Sequence, residues 1–216
     1  MDKRNEQLEH LSEIRSLMER SSRFISLSGL SGVAAGIFAL IGAAAVYVYF
    51  DISPFDEHLV YYADVAAAEK RWGMDYLTFF FLDAALVFIF AVAGGIFFTT
   101  RKAKQKGQKI WDKLTQKLLL NLLIPLVTGG IFCLALMKHG EFGLVAPATL
   151  VFYGLALVNG GKYTLSDIHY LGLSEIALGL IALFYIGYGL EFWAIGFGVL
   201  HIIYGTIMYF KYERQV

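Results

Sequence analysis

Two ionisable side chains lie deep inside apolar stretches near the end of the chain. Glu175 falls within the apolar run 168–186 and His201 within the run 190–210, and a Gly-Tyr-Gly turn at 187–189 separates the two runs. An ionisable residue inside a membrane-length apolar segment is costly, so it indicates a functional site with a partner. A carboxyl group and an imidazole together favour either a ligand or proton site or a hydrogen bond that only locks two helices together.

Both side chains share a helix face with small residues, which mark contact faces between membrane helices. These small or flexible neighbours are Gly172, Gly179 and Ala182 for Glu175, and Ala194, Gly198, Gly205 and Met208 for His201. The sequence midpoint of the pair is Tyr188, inside the turn, so both residues lie at one height, about 19 Å from the turn at about 1.5 Å per residue. The spacing therefore predicts that Glu175 and His201 meet across a helical hairpin.

Other polar residues complete the predicted ligand or proton site. They lie on the loop before this hairpin and on its two helices: Asn159, Lys162, Tyr163, Asp167, Tyr170 and Tyr204. They form neither a nucleophile–base set nor a metal-ligand pattern, so the sequence names no catalytic residue, no metal site and no known cofactor. Haem held by His169 and His201 is conceivable, although hairpin counting offsets the two by about 9 Å in height.

The composition indicates an α-helical membrane protein. Of the 216 residues, 57% are hydrophobic and 17% charged, and the mean hydropathy is +0.59. Several apolar runs approach the length of about 20 residues that a helix needs to cross a bilayer. A transmembrane β-barrel would instead show short alternating strands, which are absent from the sequence. The single cysteine, Cys133, excludes an intramolecular disulfide.

The apolar runs predict an all-α bundle of six transmembrane helices arranged as three hairpins. The predicted spans are about 24–50, 76–100, 118–137, 143–158, 168–186 and 190–210, within one membrane domain of residues 24–216. Residues 1–23 are polar with a near-helical apolar period and predict a cytoplasmic amphipathic helix. A short interfacial helix is expected at 57–72, and Asp83, in the second span, is a second polar site near the outer end of the bundle.

The distribution of charge predicts the orientation. All Lys and Arg except Lys70, Arg71 and Lys138 fall on the side of the N-terminus, which predicts that both termini lie in the cytoplasm. The basic segment 101–117 is expected to lie on anionic lipid, at about 1 kcal/mol per basic residue near the surface. The candidate lipid-binding residues are Lys102, Lys104, Lys106, Lys109, Trp111 and Lys113. No nucleic-acid partner is expected, whereas a protein partner or a homo-oligomer is possible.

The odd-numbered spans resemble one another. The stretches 33–40, 127–134 and 176–183 share a pattern of small and branched residues, and spans one and five also share a Gly-Leu-Ser sequence that starts at Gly29 and Gly172. Spans four and six share a Tyr-Gly pair, at Tyr153 and Tyr204. The pattern predicts a parallel repeat of three hairpins in which Glu175 is specific to the third.

The hairpin between Leu171 and Met208 contains Gly-x-x-Ala-Leu, a turn, and a later Tyr-Gly. In this it resembles the repeat of bacterial HdeD-type six-helix membrane proteins, and the stretch 159–168 is similar to uncharacterised six-helix membrane proteins of Bacteroidetes. The resemblance implies an inner-membrane, stress-related role and brings no catalytic residue or ligand.

Three functions are compatible with these features. The first is a non-enzymatic sensor or accessory module that binds a partner or small ligand. The second is a small proton-coupled transporter with Glu175 and His201 in its pathway. The third is a membrane enzyme acting on a lipid or quinone, which would need a nucleophile–base set or a metal near the interface.

Overall fold

A computed structural model describes residue 5 and residues 27–55, 70–107 and 110–214 of the chain. The predicted N-terminal helix at 1–23, most of the predicted interfacial helix at 57–72 and Lys109 lie outside these residues. Residues 70–75 form an antiparallel two-stranded hairpin in which Lys70 pairs with Asp75. The prediction of a helix is therefore wrong for its last residues, 70–72. Gly73 has a φ of +82° and makes the turn between the two strands.

The described part of the chain is all-α apart from this small hairpin. The elements, in chain order, are α1 (Gly29–Phe50), β1 (Lys70–Arg71), β2 (Met74–Asp75), α2 (Tyr76–Gln105), α3 (Lys113–Lys138), α4 (Val145–Gly160), α5 (Ser166–Ala182), α6 (Gly189–Trp193) and α7 (His201–Tyr212). Short 3-10 turns at Phe142–Leu144 and Gly161–Tyr163 flank α4. A π-helical segment, Ala194–Leu200, joins α6 to α7, so that Gly189–Tyr212 runs as one continuous element, the last helix.

Aspartate caps fix the start of two helices. The side chain of Asp75 accepts a hydrogen bond from the backbone N–H of Thr78 at 2.8 Å, and that of Asp112 accepts one from Thr115 at 2.7 Å. These bonds stabilise the ionised carboxylates, and bonds to the Thr115 backbone and hydroxyl lower the pKa of Asp112. Because of the Asp112 cap, α3 begins five residues before the predicted start at 118.

Five helical segments are long and apolar enough to cross a membrane. They are Gly29–Phe50, Tyr76–Gln105, Lys113–Lys138, Phe142–Tyr163 and Gly189–Tyr212. Helix α5 has 17 residues, about 26 Å at 1.5 Å per residue, and ends at Ala182 rather than at the predicted residue 186. Large apolar side chains cover the outer surfaces of α2 and α3, for example Phe88 and Ile131, which are 66% and 64% exposed.

Glycines bring two pairs of helices into backbone contact. A Cβ atom added at Gly205 on the last helix would lie 2.6 Å from the carbonyl oxygen of Gly29 on α1. A Cβ atom at Gly154 on α4 would lie 2.6 Å from the carbonyl oxygen of Gly172 on α5. No side chain fits at these distances, so both crossings depend on glycine, as is typical of close-packed membrane helices.

The two crossings are related through the sequence repeat. In each, the glycine that opens a Gly-Leu-Ser stretch meets the glycine of a Tyr-Gly pair: Gly29 with Gly205, and Gly172 with Gly154. The same relation holds further along, because Gly36 packs on the backbone of Ile202 and Gly179 on that of Val151. The contact of the last helix with α1 is therefore equivalent to the contact of α4 with α5.

This pairing differs from the predicted three hairpins in one respect. Helices α1 and α2, and likewise α3 and α4, pack side by side as hairpins, but α5 packs mainly on α4 and the last helix mainly on α1. The two helices of the third hairpin touch each other in few places. The order of neighbours is therefore α2, α1, last helix, α5, α4, α3, and in the described part of the chain α2 and α3 do not pack on each other to close a ring.

Candidate functional site

Glu175 and His201 meet, as the hairpin spacing predicts. His201 is the first residue of α7, and its Nδ1 atom lies 3.4 Å from Oε1 of Glu175 on α5. Glu175 is fully buried and His201 is 5% exposed. The glycines that share their faces, Gly172 and Gly205, lie in the two close helix crossings, which explains why both side chains point into the bundle.

The imidazole of His201 takes its hydrogen bonds from elsewhere. Tyr153 on α4 places its hydroxyl 2.7 Å from Nε2, and the carbonyl oxygen of Gly196 lies 3.0 Å from Nδ1. A carbonyl oxygen can only accept, so Nδ1 carries a proton and donates it to Gly196. Tyr153 donating to Nε2 then completes a network that a neutral imidazole satisfies on both ring nitrogens.

The carboxyl group of Glu175 is left without a hydrogen bond. Neither Oε1 nor Oε2 has a hydrogen-bond partner in the described part of the chain, although both are inaccessible to solvent. The Nδ1 proton of His201 is directed at Gly196, which is closer than Glu175. A buried polar group without a partner costs free energy, and such a group in a native structure points either to strain or to function.

A π-helical segment shapes this site. It spans Ala194–Leu200 and ends immediately before His201. Gly196, in its middle, packs on the carboxyl group so closely that an added Cβ would lie 2.5 Å from Oε2 of Glu175. Insertions of this kind into α-helices are frequent at functional sites. Tyr153, Gly196 and the π segment were not assigned to the site from sequence, although the Tyr-Gly repeat contained Tyr153.

The remaining residues of the predicted ligand or proton site do not converge on Glu175. Tyr204 lies close by and its hydroxyl is 3.2 Å from that of Ser174, which bridges α7 and α5. Asp167 accepts hydrogen bonds from Lys211 and, at 2.7 Å, from the hydroxyl of Tyr212. These bonds tie the start of α5 to the end of the last helix, which is a structural role.

The residues before α5 form a separate group. Asn159 donates through Nδ2 to the carbonyl oxygen of Asn121 at 2.9 Å, and Lys162 donates to Oδ1 of Asn159 at 3.2 Å. Tyr163 is half-buried and Tyr170 is exposed. Both ring nitrogens of His201 are taken by protein groups, so the geometry does not favour haem ligation. Within the described ranges, no three His, Cys, Asp or Glu side chains are grouped to hold a metal ion.

Lys102 does not belong to a lipid-binding surface. It is 4% exposed, and its Nζ donates to the carbonyl oxygen of Leu27 at 2.6 Å and lies 3.4 Å from Oε1 of Glu213. The same carboxylate accepts from Ser28, so the ends of α2 and the last helix are fastened to the start of α1. The other described members of the predicted set are exposed: Lys104, Lys106, Trp111 and Lys113.

A cleft of about 230 Å³ lies where α2 and α3 fail to meet. Its described walls come from five helices and are apolar except for Asp83, Thr149 and the indole N–H of Trp193. The lining residues include Ala43, Phe81, Ala84, Met137, Ala146 and Trp193. Phe81 is half exposed, at 50%, on the rim. Asp83 faces α1, where a Cβ added at Gly42 would lie 3.2 Å from its Oδ2. Asp83 was predicted from the sequence as a polar site, but the cleft around it was not predicted.

No protein-family model matches this chain, and neither does any curated protein or solved structure. The resemblance to HdeD-type proteins therefore stays a prediction.

Proposed function

We propose that this chain is a six-span integral membrane protein of the bacterial cytoplasmic membrane, with both termini in the cytoplasm. Five spans are long and apolar enough by themselves. The sixth is α5, whose 17 residues extend about 26 Å, close to the hydrocarbon thickness of about 30 Å. Contacts between helix ends support the alternation of directions: Glu213 lies with Ser28 at one end, and Tyr47 donates to Glu191 at the other.

We further propose that the protein binds a ligand rather than catalysing a reaction, and that the ligand is an apolar or amphiphilic molecule that enters from the bilayer. The observation that carries this proposal is the cleft between α2 and α3. Its walls are apolar, and its rim residue Phe81 is exposed among the other apolar side chains of α2 that would face lipid. Apolar concave sites with a few polar groups are the usual form of small-molecule sites. A sensor or accessory subunit would use such a site.

Proton-coupled transport is the second candidate, and Glu175 is the observation that favours it. A buried carboxyl group without a hydrogen bond next to an imidazole could accept and release a proton. The two cavities described for the chain are lined by other residues, so neither connects Glu175 with either end of the bundle. The cleft therefore supports the ligand-binding function better.

Photolabelling tests the proposed function. The purified full chain in phosphatidylcholine nanodiscs would be irradiated with a diazirine derivative of hexadecanol, with and without excess unlabelled hexadecanol, and the labelled residues mapped by mass spectrometry. We expect label on segments 77–84 and 142–149 that the competitor removes. Uniform labelling along α2 and α3 that the competitor does not change would overturn the proposal.

A pair of matched variants makes this test specific. Ala84→Trp fills the cleft, and Ala93→Trp adds the same side chain to an exposed position of α2 that does not line it. Competed labelling should fall about tenfold in Ala84→Trp, equivalent to ~1.4 kcal/mol of binding free energy, and stay unchanged in Ala93→Trp. Equal effects of the two variants would also count against the cleft.

A further inference from the structure

Asp83 is an isolated carboxyl group in the wall of the apolar cleft. It lies seven residues after Tyr76, the first residue of α2, and therefore about 11 Å below the outer end of that helix. In the described part of the chain no hydrogen bond or ion pair joins Asp83 to another side chain or to the backbone. Among the described residues that line the cleft there is no Lys, Arg or His. The described part of the lining thus supplies an acid and largely apolar walls, but no cation.

This combination selects for a particular ligand chemistry. A carboxyl group in a low-dielectric site is stabilised by a positive charge or a hydrogen-bond donor close to it. Since the described lining residues carry no positive charge, the complementary group has to come from the occupant. We propose, on the basis of the ligand-binding function above, that the cleft binds a lipophilic amine: a molecule with one ammonium group for Asp83 and a hydrocarbon body for the apolar walls.

The geometry argues against other cationic occupants. The amine of a phospholipid headgroup is attached to a phosphate, which would have to enter the same apolar site, where no described lysine or arginine neutralises it. A divalent metal ion needs several oxygen ligands, but among the described lining residues only Asp83 and Thr149 carry side-chain oxygens. An amine without a phosphate group satisfies the carboxyl group with a single contact.

Competition between three molecules of equal chain length tests the ligand class. Dodecylamine, dodecanol and dodecanoic acid would each displace the diazirine hexadecanol probe from the full chain in phosphatidylcholine nanodiscs at neutral pH. We expect dodecylamine to displace the probe at about tenfold lower concentration than dodecanol, and dodecanoic acid to be the weakest. The preference for the amine should disappear in Asp83→Asn, whereas displacement by dodecanol should persist.

Asp75→Asn is the matched control, since it makes the same change in a carboxyl group that caps α2 outside the cleft, and Asn caps helices well. Comparing wild type with each variant cancels the different partition of the three molecules into the bilayer. An amine preference that is absent in wild type, or that survives in Asp83→Asn, would overturn the amine proposal while leaving the ligand-binding function in place. Failure of all three molecules to displace the probe would instead contradict the proposed function itself.

Discussion

His201 lies within 3.4 Å of Glu175 without donating its Nδ1 proton to it. The proton goes to the carbonyl oxygen of Gly196 at 3.0 Å, one of the backbone groups in the π segment. Gly196 and Glu175 are thus alternative acceptors for one donor. The hydrogen bonds of His201 are satisfied while the carboxyl group of Glu175 is not, and this asymmetry determines what mutations at the site should do.

Glu175→Leu is expected to stabilise the fold. Leucine has a similar size, and it removes a buried polar group that has no hydrogen bond in the described part of the chain, which is worth roughly 1–3 kcal/mol. His201 keeps both of its partners, so nothing is left unsatisfied there. Thermal unfolding in detergent would show a melting temperature above that of wild type. A melting temperature well below it would mean that Glu175 has a stabilising partner.

Tyr153→Phe should have the opposite effect. It removes the donor to Nε2 of the buried His201 and leaves that nitrogen unsatisfied, at a cost of roughly 1–3 kcal/mol. Tyr204→Phe is the control, because its partner Ser174 keeps its hydrogen bond to the carbonyl oxygen of Tyr170. The same unfolding assay should rank Tyr153→Phe clearly below Tyr204→Phe. Indistinguishable values would contradict the assigned network.

Gly196→Ala should be destabilising through the carboxyl group and Leu150. The added methyl group would lie 2.5 Å from Oε2 of Glu175, so the carboxyl group or the π segment has to move. Combining Gly196→Ala with Glu175→Ala provides space and should recover part of the loss, giving a coupling energy of about 1 kcal/mol in a double-mutant cycle. Strict additivity of the two substitutions would show that Gly196 and Glu175 do not press on each other.

Glu213→Gln should loosen the end of the bundle where three helices are fastened together. It removes the negative partner of Lys102, whose side chain is 5% exposed, and a broken buried ion pair costs about 3 kcal/mol. The measured loss should be somewhat smaller because Glu213 lies at a helix end. Lys106→Gln, at an exposed position of the same helix as Lys102, should change the melting temperature little. Equal losses would refute this role of the pair.

The position of the C-terminus distinguishes five spans from six. If α5 crosses the membrane, both termini lie in the cytoplasm, as the contact between Ser28 and Glu213 at one end of the bundle favours. A cytoplasm-active reporter fused to either terminus should then give signal, as should a periplasm-active reporter inserted at Ala66. Periplasmic activity from the C-terminal fusion would contradict the six-span proposal.

Which face of each helix points into the bundle could be predicted from the sequence, because it depends on the simple periodicity of the helix. Small residues three and four apart placed Glu175 and His201 correctly, and the Gly-Leu-Ser and Tyr-Gly repeats contained the glycines of both crossings. Which helices those glycines join was not predictable, since a repeat does not say which copy each face contacts. The third hairpin was therefore expected to pack on itself, whereas α5 packs mainly on α4.

The details of the sites depend on features that leave little trace in a sequence. The π segment shifts the carbonyl oxygen of Gly196 into reach of the His201 ring, and no composition rule marks such a segment. Lys102 is one of several basic residues in a row, yet it alone of the described set is buried, because Glu213 approaches from the other end of the chain. The cleft exists because α2 and α3 do not pack on each other, and only the arrangement of all the helices reveals that.

The most direct measurement of the central claim is a cryo-electron microscopy map of the protein in phosphatidylcholine nanodiscs with added dodecylamine. We expect α2 and α3 to be separated on the outer side, with elongated non-protein density between Trp193 and Phe81 and one end of that density at Asp83. A map in which α2 and α3 pack directly on each other, or in which a helix of a second chain fills the gap, would contradict it.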